Sequence, residues 1–315
     1  MKSVPLLSAV LVVGPRRQRS QRSLDALGRQ TRAADMEIVV VDVAEAGTPA
    51  LVAPVGVRTV YLARPGLRSF VRARAEGFRR AQAAIVAGIE DHCFAEPEWA
   101  AALIDAYQGP WAAVGYAFRG ANQDGYVARA CLVADYGVFM HPLRSAPSAQ
   151  IPSSNVSYRR ATLMALDVDG FLEHAMDVNI HDALLRQGQQ MFVESRAVVA
   201  HQNFERFFDM MQGNYSLARL FAAYRATQHG WSPARRLLWG LMAPLAVPPL
   251  RLMRLLRSVR GRPWLLPQVL AASPVIVATF CWTAVVEGLG YLFGVVDGEA
   301  RFVRWELEVD RGPIR

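Results

Sequence analysis

Lysine is almost missing from this 315-residue chain: Lys2 is the only one, so the formal net charge of +8 is carried by arginine. Sign alone does not choose between nucleic acid, anionic lipid and a basic surface. The arginines have no interleaved aromatics and no reader motif accompanies them, which speaks against nucleic acid as a partner. Cysteine is scarce as well. Cys93, Cys131 and Cys281 are widely spaced and form no CxxC or zinc-ligand pattern, which fits a reducing compartment and not a disulfide framework. No cleavable leader is evident either: the apolar run from Val4 to Val13 is short and passes through Gly14-Pro15 into arginines, so it reads as a first β-strand. What the chain has in plenty is apolar surface. At 52% hydrophobic residues it sits at the upper end of the soluble range, and some of that surface is expected to meet lipid.

A chain of this length admits one large core or two modest ones, and the pattern predicts one α/β domain with an appendage. Leu6 to Val13 is a β-branched run suited to a strand buried on both faces, and Ser20 to Gln30 has helical spacing. Glu37 to Asp42 repeats the strand pattern with an acid where the strand runs out. Val57 to Leu62 is a third candidate, and Arg68 to Ala84 reads as a helix leading into a fourth strand, Ile85 to Ile89, that ends in Glu90-Asp91-His92. Strands alternating with helices predict a mostly parallel sheet, and ligands bind such sheets beyond the strands' carboxyl ends, where Asp42 and Glu90-Asp91-His92 fall. Val114 to Phe118 looks like a further strand, Asn155 to Leu166 and Asp177 to Gln187 like helices, and Met191 to Ala200 like one or two short strands before His201.

These segments, taken in order from Ser8 to Tyr224, resemble the family-2 inverting glycosyltransferases with the GT-A fold. The carriers are the opening strand with Gln30, the Val39 to Asp42 strand, and Arg72-Ala73-Arg74-Ala75-Glu76-Gly77. They continue in Glu90-Asp91-His92 with Pro97-Glu98-Trp99, Asn155 with Arg159-Arg160, Met176-Asp177, and Ala197 to His201. The resemblance implies a Rossmann-like mixed sheet flanked by helices over residues 1–225, and transfer of a sugar from a nucleotide-diphosphate donor. It implies that Asp42 contacts the nucleobase, that Arg74 lies near phosphate, that Glu90, Asp91 and Asn155 hold the donor, and that His92 binds a divalent metal with His201 completing its shell. Asp177 would be the base that deprotonates the acceptor hydroxyl.

Each residue has a plainer role open to it: a strand-end cap for Asp42, a solvated face for Arg74, a packing histidine for His92 or His201, a turn for Asn155, a helix-dipole charge for Asp177. The family's usual residues are replaced at Val43, Ala75, His92 and Met176. Imidazole in place of carboxylate shifts the expected metal preference from Mg2+ toward Mn2+.

Beyond Phe204 the character changes. Phe207 to Tyr224 is helical and amphipathic, Leu237 to Leu256 carries Arg251, Arg254 and Arg257 at i, i+3 spacing, and Trp264 to Val286 runs about 23 residues without a charge. That length can span a bilayer at roughly 1.5 Å per residue, unless Pro267 and Pro274 break it into helices lying in the interface. Residues 226–315 are thus expected to form a helical membrane-associated segment with a possible span over 264–286. The arginines before the run place the first domain at the cytoplasmic face of the cell membrane, with a glycan or lipid-linked acceptor. The competing reading is a degenerate, non-catalytic transferase domain acting as a membrane-bound interaction protein.

Overall fold

The computed structural model describes residues 4–313. Its strands are β1 (Leu7–Val13), β2 (Met36–Asp42), β3 (Arg58–Ala63), β4 (Ile85–Glu90), β5 (Cys93–Ala95), β6 (Ala113–Gly120), β7 (Ala146–Pro147), β8 (Val156–Arg159) and β9 (Met191–His201). Its α-helices are α1 (Arg17–Gly28), α2 (Phe70–Arg80), α3 (Trp99–Ala106), α4 (Tyr126–Tyr136), α5 (Arg160–Leu166) and α6 (Asp177–Arg186), followed by α7 (Phe207–Gln228), α8 (Pro233–Arg260), α9 (Leu266–Phe293) and α10 (Gly298–Val303).

Two compact units divide the chain, one made of Met1–Arg119 with His141–His201, the other of Gly120–Met140 with Gln202–Arg315. The boundary expected near residue 225 falls inside α7.

In the first unit the described strands form one sheet in the order β3-β2-β1-β4-β8-β6-β9-β5, with β7 paired to β9. The β3-β2-β1-β4 half is parallel, as the alternating pattern predicts. β8 runs antiparallel to β4 and β6, and β5 and β7 run antiparallel to β9, which makes the sheet mixed. β1 is buried along its whole length because helices cover both faces, so the strand reads as a near-continuous apolar run. Gly77 allows α2 to lie close over this sheet: a Cβ there would come within 2.3 Å of Val10 Cγ1.

Two local expectations change. The sequence from Asn155 to Leu166 predicts a helix, but Val156–Arg159 is drawn into β8 by pairing with both β4 and β6, and only Arg160–Leu166 is helical. Met191–His201 is one eleven-residue strand.

The second unit is helical, with α9 packed against α4, α7 and α8. α9 runs unbroken through Pro274, and α8 through Pro244, Pro248 and Pro249. The two helices approach closely at paired glycines, where a Cβ on Gly288 would meet the Gly240 carbonyl oxygen at 2.5 Å. Of the three arginines expected on one face, Arg254 and Arg257 are exposed. Arg251 turns toward α9 and donates to Thr283 Oγ1 at 2.7 Å, with Glu287 3.6 Å away. Among the described residues, Pro263–Phe293 is the one helix long and apolar enough to cross a membrane, and half of its most apolar window is buried inside the unit.

Candidate active site

The parallel register fixes which acids share an edge. Val13 of β1 pairs with Asp42 and Val12 with Glu90, so the two acids flank β1 at the carboxyl end of the sheet, two strand spacings or about 10 Å apart. Asp42 is partly exposed and grips Arg17 with both oxygens, at 3.1 and 2.7 Å, while its Oδ1 also accepts from the Ala44 N–H. The arginine comes from the first turn of α1, directly after β1.

At the end of β4 the chain turns sharply into β5, and Glu90, Asp91, His92 and Cys93 are all buried. Asp91 accepts from Arg19 at 3.0 Å and Ser20 at 2.9 Å, both on α1, and its Oδ1 lies 3.3 Å from His92 Nδ1. A carboxylate on one ring nitrogen fixes the tautomer and aims the other. His92 Nε2 accordingly faces Glu90 Oε2 at 3.3 Å, and His201 Nε2, from the end of β9, approaches the same oxygen at 3.6 Å. Burial alone would raise the Glu90 carboxyl, but His92 and His201 hold it well below the usual range. Burial likewise works against Asp91, and Arg19, with His92, outweighs it and holds that carboxyl low.

Cys93 completes this group. Its Sγ is 3.6 Å from Glu90 Oε2, and the ligand atoms of Glu90, His92, Cys93 and His201 all lie within 4.8 Å of one another. Two imidazoles, a carboxylate and a thiol in one buried cluster are donors that fit a divalent transition-metal ion.

A second buried network centres on Asp177, the first residue of α6. Its Oδ2 takes a short hydrogen bond from Arg74 Nη1 and a 2.8 Å bond from the Ser154 N–H, and its Oδ1 accepts from the Tyr158 hydroxyl at 2.6 Å. Arg74 Nη2 also caps the Ala175 carbonyl at 3.1 Å. Tyr158 has one proton to give and gives it to Asp177, so His181 Nε2, 3.1 Å away, is the donor to the Tyr158 oxygen. Burial pushes His181 down to about 4, keeping it neutral.

The two networks meet through adjacent residues: Asn155 Nδ2 donates to Glu90 Oε2 at 2.5 Å and its Oδ1 accepts the Glu90 N–H at 3.1 Å, next to the Ser154 N–H on Asp177.

The residues expected to act together therefore fall into three places. Glu90, Asp91, His92 and His201 form one cluster, with Asn155 bound to it; Arg74 and Asp177 pair with each other; Asp42 stands at the strand end beyond Glu90. Sequence reasoning missed Arg17, Arg19 and Ser20, because α1 begins at Arg17 and not at Ser20. It also missed Cys93, which has no cysteine partner in sequence but stands directly opposite His201 in the β5–β9 pairing.

Residues 12–160 match the Glycosyl transferase family 2 family. No curated protein matches the chain. Among solved structures, the mannosyltransferase PcManGT from Pyrobaculum calidifontis, in complex with GDP-Man and Mn2+, is similar at 16% identity and a TM-score of 0.56, with 91% of this chain and 86% of that one covered. TarS 1-349 of S. aureus aligns over 92% of this chain and 90% of its own at 12% identity and a TM-score of 0.42. The first of these likenesses shows the fold.

Proposed function

We propose that the chain, whose residues 12–160 match the Glycosyl transferase family 2 family and whose fold is like that of PcManGT, is an inverting, metal-dependent transferase that moves a sugar from a nucleotide diphosphate to a lipid-linked or membrane-associated glycan. The observation that carries this reading is the joint placement of Asp42 and the Glu90-Asp91-His92 turn at the carboxyl edge of a parallel sheet. The PcManGT complex with GDP-Man and Mn2+ supports a donor and an ion of these classes.

In this reading Asp42 receives the nucleobase and Arg17 orients its carboxylate. Asn155 lies toward the donor sugar and holds Glu90 among the metal donors, while Asp91 positions His92 and His201 lies opposite. When bound at this cluster, a divalent ion supplies charge neutralisation for the departing diphosphate. Its two imidazoles favour Mn2+ over Mg2+. Asp177 takes the proton of the acceptor hydroxyl, with Arg74 and Tyr158 fixing its direction.

A thermal-shift screen of uridine and guanosine diphosphate sugars, run in turn with Mn2+, Mg2+ and Zn2+, tests the donor class: a bound donor raises the melting temperature, and no shift with any donor under any of these ions removes the reading. With the donor found, proton NMR of the product gives the anomeric configuration. Inversion is expected; retention rules out the single-displacement mechanism. Asp177→Asn is expected to lower kcat about 1,000-fold while KM for the donor moves a few-fold at most.

The second unit supports attachment to the cytoplasmic face of a membrane, lying in the interface. Leu237, Leu238, Leu241, Met242 and Leu245 are exposed on α8, with Arg235 and Arg236 before them and Arg254 and Arg257 after. An exposed apolar stripe bounded by cations fits the headgroup region of an anionic bilayer. α9 packs against α4, α7 and α8, which leave half of its most apolar window buried. Vesicles containing phosphatidylglycerol should sediment the protein and neutral ones should do so weakly. Leu241→Glu with Leu245→Glu should abolish the association. Equal binding of that variant would place the contact elsewhere.

A further inference from the structure

The side chains around Glu90 include one that the transferase reading leaves without a part. Cys93 is fully buried, and its place is set by the strands: β5 pairs antiparallel with β9 so that Cys93 stands opposite His201. Directly opposed residues project to the same face of the sheet with Cβ atoms about 4.5–5.5 Å apart. Thiol and imidazole are therefore brought together by backbone pairing, whatever else occupies the site. Glu90 and His92 enter from the end of β4, and the Glu90 oxygen sits 3.3 Å from His92 Nε2, 3.6 Å from His201 Nε2 and 3.6 Å from Cys93 Sγ. Donors held tetrahedrally at zinc-like bond lengths are separated by about 3.3–3.5 Å, so this oxygen already lies near the spacing such an ion requires.

We infer that Cys93 is a thiolate ligand in a buried four-donor site, with Glu90, His92 and His201, that selects zinc-class ions over Mn2+ and Mg2+. The inference rests on the metal reading of the proposed function and names the ion class that this cluster takes. Charge supports it: one thiolate and one carboxylate balance a divalent ion with two neutral imidazoles, leaving a neutral assembly suited to burial. Donor chemistry points the same way, because thiolate and imidazole match Zn2+ and Co2+, whereas Mg2+ takes oxygen ligands and Mn2+ stands lowest in the divalent series. On binding, the Cys93 S–H bond breaks, the sulfur keeps the electron pair for the ion, and the proton leaves to solvent. The ion would join β4, β5 and β9 at one point.

The test is a Co2+ titration of the full chain, read by absorption. The expected result is one equivalent bound with visible ligand-field bands and a near-ultraviolet thiolate-to-cobalt charge-transfer band. Zn2+ should displace the cobalt, and Mg2+ in large excess should not. In Cys93→Ser the ligand-field bands remain, the charge-transfer band is gone, and affinity falls by at least the roughly 10–100-fold that loss of a ligand-orienting partner costs; Cys281→Ser, which alters the exposed cysteine, keeps the band. Ligand-field bands in the unaltered chain without charge transfer, or a band that survives Cys93→Ser, overturn the thiolate assignment while the metal reading stands. No cobalt bound at all overturns both, and calorimetry with uridine and guanosine diphosphates then reports separately on the donor site.

Discussion

Asp177 and Glu90 are both buried acids of the first unit, yet Asp177 is matched by the fixed cation Arg74, whereas Glu90 meets two imidazoles, an amide and a thiol. A guanidinium stays charged at any working pH and makes a permanent partner. Imidazole and thiol change their charge, and both bind metals. The difference separates a centre built to hold one geometry from a centre whose neutralising charge can be exchanged for an ion. The histidines follow the same division: His181, beside the Arg74–Asp177 pair, is pushed down to about 4 by burial, while His92 and His201 hold the Glu90 carboxyl low.

The largest expected effect comes from breaking the fixed pair. Arg74→Met leaves Asp177 buried without its cation and should cost about 3–5 kcal/mol in urea denaturation, equally in chelator and in saturating Co2+. Glu90→Gln should behave otherwise. In chelator it removes a charge that only imidazoles, an amide and a thiol oppose and should cost about 1 kcal/mol. With the ion present, a 100-fold loss of affinity adds about 2.7 kcal/mol. If Glu90→Gln is as costly in chelator as in cobalt, the contrast between the two centres fails.

Much of this arrangement is legible in the residues themselves. The β-branched runs ending in Asp42 and Glu90 announce strands buried on both faces, and their ends mark the edge where a ligand binds, because a parallel sheet leaves that edge to loops. Residues whose partners are chosen by tertiary pairing were not legible. Cys93 acquires its meaning from the β5–β9 register, which no local spacing encodes. Val156–Arg159 has the polar, Ser-rich surroundings of a helix start, but a vacant edge between β4 and β6 claims it as a strand. Arg17 and Arg19 look like surface charge until α1 is seen to begin at Arg17, which turns them toward Asp42 and Asp91. The tail shows the same limit: its apolar period predicted helices, and their packing turned Arg251 inward toward Glu287 and Thr283.

A smaller effect tests the histidine contrast. His181 binds its proton less readily folded than unfolded, so its contribution to stability is complete above pH 6.5 and is lost as pH falls toward 4. The loss between pH 7 and pH 5 should be about 2 kcal/mol. Glu90 and Asp91, both held low, keep their contributions throughout that window, since theirs are lost only as pH falls below the ordinary carboxylate values of 4.5 and 3.8. His181→Gln retains a donor for Tyr158 and removes the titration. Its denaturation midpoint should therefore lack this share of the acid slope, and an unchanged slope would assign the proton uptake to another group.

The smallest effect asks whether the two centres are independent. The connection runs from Glu90 through the Asn155 side chain, along one residue of backbone to the Ser154 N–H, and into Asp177. Groups in one hydrogen-bond network depart from additivity by at least about 0.5 kcal/mol, while separated sites add within about 0.3–0.5 kcal/mol. Arg74→Met and Glu90→Gln in a double-mutant cycle, measured in chelator, should show a coupling of roughly 0.5–1 kcal/mol. The same cycle on an Asn155→Ala background should close to near zero, because alanine removes both the Nδ2 donor to Glu90 and the Oδ1 acceptor for its N–H. Coupling that persists without Asn155 would have to travel through β4 and β8, which pair directly, and would make the sheet and not the side chain the link between the fixed centre and the exchangeable one.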